Sequence, residues 1–257
     1  MVPQKRGVET GMTLQEGEFA LVEYTLKVKE TGEIIETTDR DEAKKANIYD
    51  EKERYGPRLI IVGEKRVIPG IEEAIRQLNE GEEKEVVIPP EKGFGKRDQQ
   101  KIKIIPKTQF IKNGIVPEPG KIVEINGKLA TIRAITGGRV IVDFNHPLSG
   151  KTLWARVKLV KILKTPPEKL QHLLLRRLPS QIGVDDVKVE YDAKEKYARI
   201  VFNEKSLLVP EMQTIRRIVV GEIAKYMRPE VDKIDFIDHV EYGSKKGEKE
   251  EASTQQA

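Results

Sequence analysis

The chain has 257 residues, enough for one large domain or two to three small ones with cores of their own. Charged residues make up 34% and hydrophobic residues 38%, which fits a water-soluble fold, and no apolar run reaches bilayer length, so no membrane role is expected. Cysteine is absent, His146, His172 and His239 lack ligand spacing, and a net charge of +4 is too small to argue for nucleic acid, so thiol chemistry, metal and cofactor are not expected.

The N-terminus, MVPQKRGVETG, has no apolar segment behind its basic residues and does not read as a secretory signal, so a cytoplasmic location is expected. Residues 18–37 alternate as two strands around a Thr31-Gly32 turn, and charged helical material is expected over 42–56. RLIIVG reads as a short apolar strand, 71–78 as a helix ended by Asn79 and Gly81, and 84–90 as a strand stopped by two prolines. From 101 to 152 the texture changes to short strands with turn signals at Asn113-Gly114, Pro119-Gly120, Asn126-Gly127 and Gly137-Gly138, which predicts a small all-β unit of hairpins. This block carries nine Lys or Arg against three Asp or Glu. A strand then returns over 152–163 with Leu153, Ala155, Val157 and Leu159 on one face.

Thr165-Pro166-Pro167 marks a boundary. Beyond it the pattern predicts a helix near 168–178, strands near 186–192 and 196–203, a helix with Met212, Ile215, Val219, Ile223 and Tyr226 on one face, and a last strand. That order is a compact α+β unit, and the helix face is free either to fill its core or to make a homodimer. The last fifteen residues, 243–257, have nothing to bury and are expected to be disordered.

The segment VIPGIEEAIRQLNEGEEKEVVIPPEKGFG at 67–95 resembles the central motif of FKBP-type peptidyl-prolyl isomerases, as does YTLKVKETGEIIETT at 24–38. VDFNHPLSGKTL at 142–153 resembles the hallmark of long, SlyD-like members that carry an insert-in-flap chaperone domain. The extension at 165–242 is similar to that of some long, notably archaeal, members. The resemblance implies an α+β fold: a half-open antiparallel sheet wrapped on a short helix (12–100 with 151–163), an inserted β domain (101–150) and a C-terminal α+β domain (165–242). It also implies a shallow apolar pocket. Tyr24, Glu36, Ile68 and Phe94 take the catalytic positions, with the Ile68 amide binding the substrate chain; Val67, Ile71 and Ala155 line the pocket, and Ile71 is its floor. Glu36 stands where the family usually has aspartate, and Phe94 where many members have tyrosine. Ala155 and Arg58 replace bulkier apolar residues, which implies a wider, more polar pocket.

Rotation about an X–Pro bond faces a barrier of about 18–20 kcal/mol because the planar amide loses resonance at the twisted midpoint. Such chemistry needs an apolar slot and a few oriented polar groups, with no nucleophile or metal. The implied function is isomerisation and chaperoning of unfolded or nascent proline-containing polypeptides, captured by the insert. A second reading keeps the scaffold without the catalysis, as a holding chaperone or an RNA- or ribosome-binding protein using the basic insert. Phe110 and Phe144 are the insert's only phenylalanines, which is little stacking surface for bases. Asn145 and His146, in an Asn-His-Pro turn, read as residues fixing the return of the chain.

Overall fold

The computed structural model describes residues 14–240. The predicted tail at 243–257 lies outside them. The first sheet is built from β1 (Phe19–Val28), β2 (Ile34–Thr37), β3 (Arg58–Ile61), β4 (Glu83–Ile88) and β9 (Leu153–Leu163), all antiparallel. Its order is β2-β1-β9-β4, with β3 sharing the β1 edge below β2. The sheet curls around α2 (Pro69–Arg76). Pro69 at the first helical position starts α2 two residues before the predicted 71, because its fixed φ suits the first turn and its missing N–H costs nothing there. Ile71, Ala74 and Ile75 face the sheet, and a Cβ on Gly70 would collide with the Ile88 side chain, so only glycine permits this close approach to β4.

β1 alternates without a break, while a bulge in β9 at Val160, opposite Leu21 and Val22, changes which residues of β9 face α2. Above it, Val22, Tyr24, Leu26 and Val28 point to α2, together with Leu153, Ala155, Val157 and Leu159 of β9. Below it, Phe19 and Leu21 join Leu59, Ile61 and Leu163 on the opposite side. That opposite side is covered by the C-terminal elements: α4 (Pro166–Leu175), β10 (Val187–Asp192), β11 (Tyr197–Phe202), α5 (Met212–Tyr226) and β12 (Lys233–Asp238). They form a sheet of order β10-β11-β12, with β12 parallel to β11, and share one hydrophobic cluster with the first sheet.

α4 begins two residues before the predicted 168, at Pro166, where Glu168 accepts from the Thr165 hydroxyl at 2.9 Å. On α5, Val219 and Ile223 are buried, and Met212, Ile215 and Tyr226 pack beside them within the same cluster. That face therefore packs against the chain's own core, while Ile218 and Val220 on the same helix stay exposed.

The insert forms its own sheet, β5 (Ile102–Pro106), β8 (Arg139–Asp143), β7 (Lys128–Thr136) and β6 (Ile122–Ile125), in the order β5-β8-β7-β6. Asn126 and Gly127, both at positive φ, make the tight turn between β6 and β7 as expected. Asn113-Gly114 does not close a hairpin: it ends α3 (Lys107–Lys112), a six-residue helix whose Phe110 fills the insert's core. The expectation of hairpins alone missed this helix because one buried residue in six leaves no 3.6-residue pattern to read. The long charged helix predicted at 42–56 is likewise reduced to α1 (Arg40–Lys45), capped by Asp39, which accepts from the amides of Asp41 and Glu42 at 2.8 Å. Asn47 at φ 56° turns the chain out, and the following loop is organised by stacking of Tyr49 on Tyr55. No helix among the described residues is long and apolar enough to cross a membrane.

Candidate active site

The predicted site residues fall into two groups once the sheet has curled. Tyr24 on β1 and Glu36 on β2 come together because the two strands pair with Leu26 opposite Glu36. The Tyr24 hydroxyl donates to Glu36 Oε1 at 2.8 Å. Arg58, at the start of β3, donates through Nη1 to the Tyr24 hydroxyl at 2.8 Å and makes an ion pair with Glu36. Burial first, and then the Glu36 charge, raise the phenol above its ordinary range, so Tyr24 stays a protonated donor. For Arg58, burial works against the charge, but Tyr24 and Glu36 outweigh it and hold the guanidinium protonated.

Val67 and Ile68 precede α2 and Phe94 follows β4; all three are half-buried against the α2 side of the sheet. The Ile68 carbonyl accepts from the amides of Ile71 and Glu72, at 3.0 and 3.2 Å, as the helix entry requires. Its own N–H has no hydrogen-bond partner among the described residues.

Ile71 and Ala155 differ from expectation. They are 1% and 0% exposed, more deeply buried than Val67, Ile68 and Phe94, which pack on the same hydrophobic cluster. Ala155 sits between Leu26 and Val86 across the sheet and is fully buried. The polarity expected from Arg58 is present, directed onto Tyr24 and Glu36.

Sequence reasoning missed three neighbours. Ile35 and Leu148 pack on the same cluster as Phe94. His146 lies flat on Phe94, ring centroids 4.6 Å apart and planes 2° from parallel, with its Nδ1 accepting from the Leu148 amide at 3.2 Å. The Phe94 carbonyl accepts from the Ser149 hydroxyl at 3.0 Å, so the segment returning from the insert clasps the Phe94 loop. Nothing local pairs residues so far apart. The nearest signal was the Asn-His-Pro turn itself, where Asn145 does bridge the segments entering and leaving the insert, exchanging hydrogen bonds of 2.9 Å with the Asp98 backbone.

The arrangement is an apolar rim (Ile35, Val67, Ile68, Phe94) beside a fixed tyrosine–carboxylate–guanidinium group and a free backbone N–H. It has no activated nucleophile and offers oriented donors to an amide carbonyl. The profile described as FKBP-type peptidyl-prolyl cis-trans isomerase matches residues 11–111. A short-type peptidyl-prolyl cis-trans isomerase of Methanocaldococcus jannaschii is 39% identical over 146 residues, covering 57% of this chain and 92% of the relative. The chain belongs to the FKBP-type peptidyl-prolyl cis-trans isomerases. Two FKBP-type isomerases named SlyD are also similar: that of Helicobacter pylori is 31% identical, over 59% of this chain and 76% of its own length. That of Treponema pallidum is 32% identical, over 63% and 85%. Two further profiles place the additions to this FKBP: one described as FKBP26, IF domain, matches 103–148, and one described as FKBP26 C-terminal matches 166–241.

Proposed function

We propose that this FKBP isomerises X–Pro bonds in unfolded or nascent polypeptides held by its insert, in the manner of the long-type members. The observation that carries the catalytic half is the unpartnered N–H of Ile68, a residue that packs with Val67 and Phe94 on one apolar cluster, together with the linked side chains of Tyr24, Glu36 and Arg58. A substrate carbonyl takes the Ile68 amide, the prolyl ring enters between Val67 and Phe94, and the imide leaves water. Desolvation and fixed dipoles then favour the twisted form over the planar one. Tyr24 and Glu36 act by holding that polar wall in place.

Two features support capture by the insert. Its apolar side chains Ile104, Ile111, Val116, Ile122 and Leu129 are 58–69% exposed. Strands β5 and β6 are the edges of its sheet and offer backbone groups to an extended chain.

The test is cis-to-trans exchange of a short X–Pro peptide, followed with and without catalytic amounts of the protein. Acceleration should fall about tenfold or more in Phe94→Ala, assuming loss of a contact worth about 1.4 kcal/mol in the transition state. Replacing 101–150 by a short turn should spare the peptide reaction and abolish acceleration of proline-limited protein refolding. No acceleration by the folded protein would leave a holding chaperone on this scaffold.

A further inference from the structure

Next to the prolyl site a second concavity of about 820 Å³ runs from the sheet to the C-terminal elements, within the range of ligand-binding clefts. One end is formed by Ile35, Glu36, Arg58 and Val67, which are residues of the prolyl rim. The other end is formed by His172, Leu175 and Leu178 of the α4 region and by Val184. The groove exists only because the C-terminal elements cover the lower face of the sheet.

Its lining is apolar and positively charged. Five cationic side chains, Lys52, Arg54, Arg58, Arg66 and Arg176, face two carboxylates, Glu36 and Glu53. Two of the five are already neutralised: Arg58 by Glu36, and Arg176 by Glu64 and Glu222. Arg54 is not: its guanidinium donates to the backbone carbonyls of Pro179 and Ile182, at 2.8 and 2.7 Å, which carry no charge to balance it. Lys52 and Arg66 make no ion pair among the described residues. Burial, followed by the nearby charges of Arg176 and Arg177, destabilises the Arg66 cation, as expected in a locally positive field. Apolar contact surface comes from Val184, 49% exposed, and Ile48, 39% exposed.

We infer that this groove is an extended client subsite, binding residues beside the X–Pro bond and favouring segments in which acidic and apolar side chains alternate. Continuity fixes the occupant: a chain whose proline sits at Val67 and Phe94 must leave the pocket along the surface, at about 3.3–3.6 Å per residue, and this groove opens at that rim. Charge fixes the chemistry, since an acidic side chain supplies what Lys52, Arg54 and Arg66 lack. The C-terminal unit is thereby a part of substrate recognition. The inference rests on the prolyl-site reading, and the experiment separates the two.

Labelled X–Pro peptides would carry no flank, or flanks of Glu-Leu, Gln-Leu or Lys-Leu repeats on either side of the prolyl bond. Turnover of the unflanked peptide tests the prolyl site alone. For one side of the proline, the Glu-Leu flank should lower KM about five- to tenfold relative to Gln-Leu at low ionic strength, as two partly exposed ion pairs allow. The Lys-Leu flank should raise it, and high salt should compress the series. In Lys52→Glu with Arg66→Glu, two exposed positions, the order should invert. Fluorescence anisotropy of the same peptides reads the groove directly even where turnover fails. Equal affinity for all flanks, or an order unchanged in the double variant, would overturn the proposal. So would concentration-dependent self-association abolished by that variant, because the groove would then hold a second copy of the chain.

Discussion

The insert and the C-terminal unit are both additions to one sheet, yet they are attached by opposite physics. The C-terminal unit has no core separate from its host: Phe19, Leu21, Leu59, Ile61 and Leu163 of the first sheet lie in one cluster with Leu170, Leu173, Leu174 and Phe202. The insert keeps a small core of its own, built on Phe110, Ile132, Val140 and Val142. Its junction is polar. Asp143, wholly buried, is bound by Arg97 and Arg133 and accepts from the Asn145 amide at 2.9 Å. Hydrophobic burial is non-directional and welds two surfaces, whereas a hydrogen-bonded junction fixes a position while burying little apolar area. Such a division suits a fixed wall beside the pocket and a client-holding unit that is separable from it.

The largest expected effect comes from removing each addition in turn. Truncation after residue 164 uncovers the five apolar side chains just named, and should yield a chain that aggregates or fails to fold, read by size exclusion and circular dichroism. Deleting 101–150 should leave the remainder folded and soluble. A soluble, cooperatively melting 1–164 fragment would break the contrast.

Point substitutions sharpen it. Phe202→Ala should destabilise the whole chain by about 3–5 kcal/mol in denaturant titration, because its ring lies in the shared core. Ile132→Ala, in the insert, should cost about 2–5 kcal/mol locally. Native-state hydrogen exchange should confine that loss to amides of 102–143, with the first sheet unchanged. Asp143→Ala should loosen the junction by about 1–3 kcal/mol, the cost of unpairing Arg97 and Arg133 at a partly exposed site. Its readout is faster exchange at Asp98 and Asn145.

Acid gives the smallest and most specific test. The Lys205 ammonium, the Gly183 amide and Asn203 hold Asp186 down at about 2, below the ordinary carboxylate value. A depressed pKa contributes stability that is complete above about pH 4 and is lost as pH falls through about 2. The C-terminal unit should therefore weaken across that window, and Asp186→Asn should flatten the dependence of melting temperature on pH while lowering stability at neutral pH. Asp143 is also held low: burial opposes its charge, but the Asn145 hydrogen bonds and the two arginines prevail. Acid should then loosen the insert as well, and Asp143→Asn should remove only that part of the response.

Much of this was legible in the chain itself. The alternation of Leu153, Ala155, Val157 and Leu159 identified β9 and its buried face, and all four are fully buried. The motif residues Tyr24, Glu36, Val67, Ile68 and Phe94 could be grouped because their order along the chain resembles a family pattern, and all but Glu36 do pack on one hydrophobic cluster. How deeply Ile71 and Ala155 are buried was not legible, since spacing reports which face a residue is on and not whether another side chain covers it. Helix extents at 42–56 and 107–112 were lost to local turn chemistry and to a single buried phenylalanine. The pairing of His146 with Phe94 has no local signal, because it depends on how the chain returns from the insert.

One clue in the sequence was visible but not decisive. Phe19-Ala20-Leu21-Val22 and Leu59-Ile60-Ile61-Val62 are continuous apolar runs, the mark of strands buried on both faces. They said that something covers the outer face of the sheet. They could not say that α4, α5 and the second sheet do so, or that the basic groove forms at that seam. Residue type and period determined the strands, the helices, their inward faces and the family, because these are properties of short stretches of chain. The tyrosine–glutamate–arginine group, the clasp on Phe94 and the shared core were decided by tertiary structure, because each depends on distant segments meeting, and no local interaction energy encodes that meeting.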